Sequence, residues 1–152
     1  MTKKIEQLKR TRLFLLDLIE ELTPEQLNEI PEGFNNNVIW NLGHLFTGQQ
    51  RVCYLRAGLE TIIDDQGFSN YKPQTKPDKK IEEEEINKIK SSFVSIIDTL
   101  QTDYNKNIFL NYQLFTVPYG FDVTNIDEAI NFMLFHEGLH LGYIMALKRV
   151  LK

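Results

Sequence analysis

The stretch Asn131-Phe132-Met133-Leu134-Phe135-His136-Glu137-Gly138-Leu139-His140-Leu141-Gly142-Tyr143-Ile144-Met145-Ala146-Leu147 decides the fold. It is too long for a strand, and stepping by four and three from Ala129 gives Met133, His136, His140, Tyr143, Leu147 and Val150, a seam of apolar and aromatic residues holding two imidazoles. Thr124 followed by Asp127 approximates a capping box, and Lys148, Arg149 and Lys152 suit the negative end of a helix dipole. The segment therefore reads as one long helix running from Thr124 to the chain end. Residues four apart on a helix are turned by about 400°, which sets the Cα atoms of His136 and His140 about 6 Å apart on one side. Two imidazoles so placed can grip one metal ion.

Working outward, three more helices appear. Ile5, Leu8, Leu15, Ile19 and Leu22 alternate by three and four between Lys3 and Leu22, with Arg12 in the empty slot and Thr23-Pro24 as the stop. A short helical turn is expected over Pro24 to Asn28, with Thr23 as its cap. The second long helix begins in Asn35-Asn36-Asn37 and runs to Ala57-Gly58. The third begins after Pro77 with Asp78 as cap, carries Ile81, Ile86, Ile89, Phe93, Ile96, Ile97 and Leu100, and frays near Thr102. Its acidic run Glu82 to Glu85 is a solvated first turn that favours the dipole. The pattern is that of an all-α four-helix bundle over residues 1–152, a single domain. Leu59 to Pro77 and Asp103 to Val123 exceed the two to eight residues usual between antiparallel neighbours, so at least one is expected to cross over. The second holds Tyr104, Phe109, Tyr112, Phe115, Tyr119 and Phe121, aromatics enough to pack on the bundle and cover one end.

Composition narrows the function. With 17 Lys and Arg against 21 Asp and Glu, a net charge of −4 and no basic stripe, nucleic acid is not an expected partner. No run approaches a membrane span, and the N-terminus lacks the apolar core of a signal peptide. Cys53 is the sole cysteine, so it forms no internal disulfide; a reducing cytoplasm is the expected location.

His44 is the third of only three histidines. It lies on a polar line of the second long helix, Asn37, Asn41, His44, Gly48, Arg51 and Leu55, beside an apolar arc. If that line faces the histidine seam, the three imidazoles, two amides, the Tyr143 phenol and Arg51 surround a pocket. Three protein nitrogens leave a coordination position open, as in catalytic sites. Imidazole binds metal only when unprotonated, so affinity should fall below about pH 6.5. Two histidines at this spacing also occur as satisfied core or surface imidazoles, and Arg51 also reads as a snorkelling surface residue. His136-Glu137-Gly138-Leu139-His140 further matches H-E-x-x-H, the zinc-peptidase signature with the glutamate as general base. That reading needs a downstream ligand and a sheet edge which the chain does not offer, and Glu137 is instead taken as a flank of the histidine face.

The stretches Val38-Ile39-Trp40-Asn41-Leu42-Gly43-His44-Leu45 and Phe135-His136-Glu137-Gly138-Leu139-His140-Leu141-Gly142 resemble the histidine-bearing helices of DinB-like (DinB/YfiT-like) proteins. The resemblance covers essentially the whole chain. It implies an up-down-down-up bundle with a divalent metal, zinc first and nickel or iron as alternatives, on His44, His136 and His140. It also implies a choice between two kinds of activity. One is metal-dependent transferase or hydrolase chemistry on a small electrophilic substrate, with a low-molecular-weight thiol or water as nucleophile; Asn41, Tyr143 and Tyr119 are then candidates for orienting the substrate. The other is a non-catalytic metal-binding or stress-related module. Finally, Phe132, Phe135, Leu139, Gly142 and Ala146 form a second apolar face on the last helix, which calls for cover from the aromatic connection or from a second copy; a homodimer is expected.

Overall fold

A computed structural model of the chain describes residues 2–151. Its six α-helices are α1 (Thr2–Leu18), α2 (Pro24–Asn28), α3 (Val38–Gln49), α4 (Asp65–Asn70), α5 (Glu83–Asn105) and α6 (Ile126–Val150). A two-residue hairpin, β1 (Phe115–Thr116) with β2 (Asp122–Val123), is the one sheet among the described residues. The protein is all-α, as the periodicity indicates.

Contacts between helices give their directions. Lys4 meets Asn131, Arg12 meets Glu137 and Lys148 meets the Leu18 carbonyl, so α1 and α6 run parallel. Lys9 meets Asp98 and Arg12 meets the Phe93 carbonyl, which sets α5 antiparallel to α1. Asn41 meets His140 while Gly48 lies against His136, so α3 runs opposite to α6. Taken in order, α1, α3, α5 and α6 run up, down, down and up. Since α3 and α5 share a direction, the chain between them must return along the bundle, and it does so through α4 and Tyr71.

Helix ends follow local chemistry, with three departures from expectation. Asn37 caps α3, its side chain accepting from the Trp40 N–H, and Thr23 forms a complete capping box with Gln26 on α2. Beyond Gln49 the second long helix widens into a π-turn over Gln50–Tyr54, tightens to a 3₁₀ turn over Leu55–Ala57 and stops at Gly58 with φ +68. Asp78 does not cap α5, which begins only at Glu83. The preceding stretch stays extended because Asn28 captures the Ile81 backbone, accepting from its N–H and donating to its carbonyl, and Ile81 itself is buried. The cap of α6 is Asn125 rather than Thr124; Asn125 accepts from the Glu128 N–H, while the Glu128 carboxylate reaches back to the Thr124 N–H and hydroxyl. Lys152 lies outside the described residues.

The core falls into two clusters along the bundle. Leu15, Ile19, Leu42, Leu45, Phe93, Ile144 and Leu147 fill one, each worth about 1.5–3 kcal/mol on full burial. Ile5, Leu8, Leu100, Ile130 and Met133 fill the other, where the connection after α5 adds Phe109, Val117 and Val123 and closes that end of the bundle.

Arg12 occupies the empty slot of the α1 pattern because its charge is needed inside. Fully buried, its guanidinium donates to Glu137 Oε1 through Nε at 2.8 Å and Nη2 at 2.6 Å, to the Phe93 carbonyl at 2.8 Å and to the Leu45 carbonyl at 3.1 Å. It also lies 4.4 Å from the centre of the Phe93 ring. One side chain of α1 thus ties α3, α5 and α6 together.

Candidate metal centre

The inward stripe of α6 is Ala129, Ile130, Met133, Glu137, Ile144 and Leu147. Glu137, expected at the flank, is at the middle of this stripe, and the histidines take the border that faces α3. The helix is turned this way because Arg12 holds Glu137 inside. Burial pushes the Glu137 carboxyl upward in pKa and the Arg12 guanidinium opposes it.

His44, His136 and His140 converge, each offering a ring nitrogen within 4.8 Å of the others. Two of the rings are fixed by hydrogen bonds on the side away from the cluster. His44 Nδ1 lies 2.6 Å from the Tyr71 carbonyl, which only accepts, so Nδ1 carries the proton and Nε2 presents its lone pair. Tyr71 reaches this position because residue 43 has no side chain: a Cβ on Gly43 would stand 2.3 Å from Tyr71 Cε1. His140 Nδ1 lies 2.7 Å from Asn41 Oδ1. The Asn41 amide is oriented by its own Nδ2, which donates to the Asn37 carbonyl at 2.7 Å, so Oδ1 accepts and His140 too turns a bare Nε2 inward. Trp40 stacks on His44 at 5.0 Å and Phe132 on His136 at 5.6 Å, each from four residues earlier on the same helix.

This donor set fits a divalent ion. His44 Nε2 and His136 Nε2 are 3.1 Å apart, near the roughly 3.3 Å that two nitrogens span when bound tetrahedrally at about 2.0–2.1 Å from zinc. The lone pair of His44 Nε2 at that distance meets either the His136 N–H or an ion that both nitrogens share. Burial, with mutual repulsion, holds His136 down to about 2 and His140 to about 3, and burial also lowers His44. His136 and His140 therefore stay neutral and competent as ligands well below the usual histidine value of 6.5, and His44 is shifted in the same direction, which moves the expected loss of affinity to lower pH.

The remaining site candidates lie as follows. Glu137 is fully buried on Arg12. Asn41 contacts His140 rather than an open cavity. Tyr143 sets its ring edge-on to Phe34 at 5.6 Å, and Tyr119, largely exposed, sets its ring edge-on to Phe135 at 5.1 Å. Hollows of about 470 Å³ and 340 Å³ open elsewhere, one between α2 and the Pro77–Lys80 strand of chain, the other between β2 and α6. Tyr71 and the two stacking aromatics were not singled out by sequence. Trp40 and Phe132 carry the same i, i+4 signal as the histidine pair, whereas a backbone carbonyl from another element leaves no sequence mark.

No curated protein matches the chain. The sequence pattern that defines the DinB superfamily, however, matches residues 7–144, a span that includes all three histidines and the four long helices that carry or brace them. The chain belongs to the DinB superfamily.

Proposed function

We propose that His44, His136 and His140 bind one divalent metal ion through Nε2, zinc first with nickel or iron as alternatives, and that the protein is a cytoplasmic metal-dependent transferase or hydrolase for a small electrophilic substrate. The observation that supports this reading is the pair of Nδ1–H donors committed to Tyr71 and Asn41, which points bare nitrogens into the cluster. An ion bound there would lower the pKa of a water or low-molecular-weight thiol and so supply a nucleophile near neutral pH. The chain has no reactive thiol of its own, since burial pushes Cys53 up to about 12, so S-transferase or isomerase chemistry would draw its thiol from solution. Trp40 and Phe132 cover the imidazoles and keep water off their faces; Tyr143 and Tyr119 stay candidates for contact with substrate.

A second reading, a non-catalytic metal-binding or stress-related module, draws on the hollows above, neither of which is lined by a histidine. Turnover of an electrophile with a thiol, in metal-loaded against chelated protein, separates the two. The buried ion pair of Glu137 tells against a peptidase. We assign the protein as a homodimer through the outer face of α6.

Elemental analysis is expected to find one divalent ion per chain, and none in His140→Ala. Unchanged content in single alanine variants of all three histidines would overturn the site. With the imidazoles so hard to protonate, the ion should be retained as pH falls through 6.5 and be released only in more acidic solution.

A further inference from the structure

Arg51 follows His44 by seven residues, two helical turns, so the two share a face of the second long helix with Gly48 between them. His136 rests against that line at Gly48: a Cβ there would be in ordinary contact with it, 3.6 Å from Cε1 and 4.0 Å from Nδ1, and Nδ1 is itself buried with no hydrogen-bond partner. Arg51 is carried on the π-turn, where the Leu55 N–H reaches back to the carbonyls of both Gln50 and Arg51, and this turn packs on α6. Wide turns of this kind recur at functional sites.

The guanidinium of Arg51 is partly buried and has no hydrogen bond, ion pair or ring contact among the described residues. The other cations nearby are accommodated. Arg12 is neutralised by Glu137, and Arg56 lies 4.7 Å over the Phe115 ring. The charge of Arg51 reaches His44 and His136 and disfavours protonation of both. A cation withdrawn from water without an anion carries an uncompensated desolvation cost, which a bound anion offsets.

We infer that Arg51 is the specificity-determining residue of the histidine site and that the small molecule bound there carries a carboxylate, held by the Arg51 guanidinium beside Gly48 and His136. This rests on the metal-binding reading. A guanidinium presents a planar fork matched to a carboxylate's two oxygens, which a lysine cannot reproduce. The substrate class is thus narrowed from a small electrophile or thiol to one bearing a carboxylate within a few bonds of the reacting atom.

Cobalt(II)-loaded protein tests this, because cobalt's visible absorption changes when a thiolate binds. Mercaptoacetate is expected to bind at least about tenfold more tightly than 2-mercaptoethanol, the measure of one charge-assisted pair. Arg51→Gln should abolish the preference while cobalt content and 2-mercaptoethanol affinity stay as in the wild type; Arg51→Lys should keep part of it. Methyl mercaptoacetate, one methyl group larger and without the charge, should bind the wild type like 2-mercaptoethanol, a comparison that needs no variant to fold. Equal affinities in the wild type, or a preference that survives in Arg51→Gln, would overturn the role of Arg51 with the metal site intact. Failure of the wild type to take up cobalt would overturn the metal site itself and this inference with it.

Discussion

A missing methyl group at residue 43 and a main-chain oxygen at residue 71 together aim His44. Replacing Gly43 by alanine would place a Cβ 2.3 Å from Tyr71 Cε1, far inside contact, so the Tyr71 ring must move, and the carbonyl that holds His44 is expected to shift with it. Zinc affinity, read by competition with a chromophoric chelator, is expected to weaken about 10- to 100-fold, the usual effect of losing a ligand's hydrogen-bond partner. Helix content should hold, since alanine favours a helix by about 1 kcal/mol over glycine. Unchanged affinity would show that the Tyr71 carbonyl does not govern the ring. At this scale the imidazoles were legible because spacing along one helix fixes which side chains share a face. Tyr71 was not, because its contribution is a backbone atom brought in by the return of the chain.

Among the helices, Arg12 and Glu137 act as a joint between elements. Arg12→Met would leave the Glu137 carboxylate buried without its partner, a loss of about 3–5 kcal/mol, seen as a fall in Tm of about 10 °C. Adding Glu137→Leu in the same chain should recover much of that loss, because a pair of apolar side chains replaces a pair of charges. Urea denaturation of the single and double variants checks both, and a single variant as stable as the wild type would show the joint to be idle. The sequence displayed Arg12 as a gap in a pattern and Glu137 as part of a short motif. Their pairing across 125 residues was invisible because periodicity ranks the faces of one helix without saying what meets them. Boundaries slipped for a related reason. Asn28 holds Ile81 out of α5, and Asn125 supplies the α6 cap one residue after Thr124; in both, a side chain competed for backbone groups that local propensity leaves undecided.

Over the whole molecule, the up-down-down-up order came from likeness to a family, since hydrophobic patterns alone do not order helices around a bundle. The aromatic connection covers only part of the second face of α6. Phe115 and Phe121 pack on Phe132, and Tyr119 on Phe135, but Leu139 is 44% and Met145 39% exposed, and nothing lies within 4 Å of a Cβ placed on Gly138 or Gly142. A second copy seated on that uncovered half is the proposed dimer. Light scattering should give twice the chain mass at micromolar concentration, and Gly142→Arg should halve it by placing a charge in a close helix contact. A wild type of single chain mass would leave the face to solvent. Trp40, finally, is the chain's sole tryptophan, 5% exposed, and it lies parallel to the His44 ring at 5.0 Å. The molecule therefore carries its own optical gauge: a change of charge on that imidazole, by proton or by ion, falls on the one indole whose emission can be watched without a label, against no background from any other.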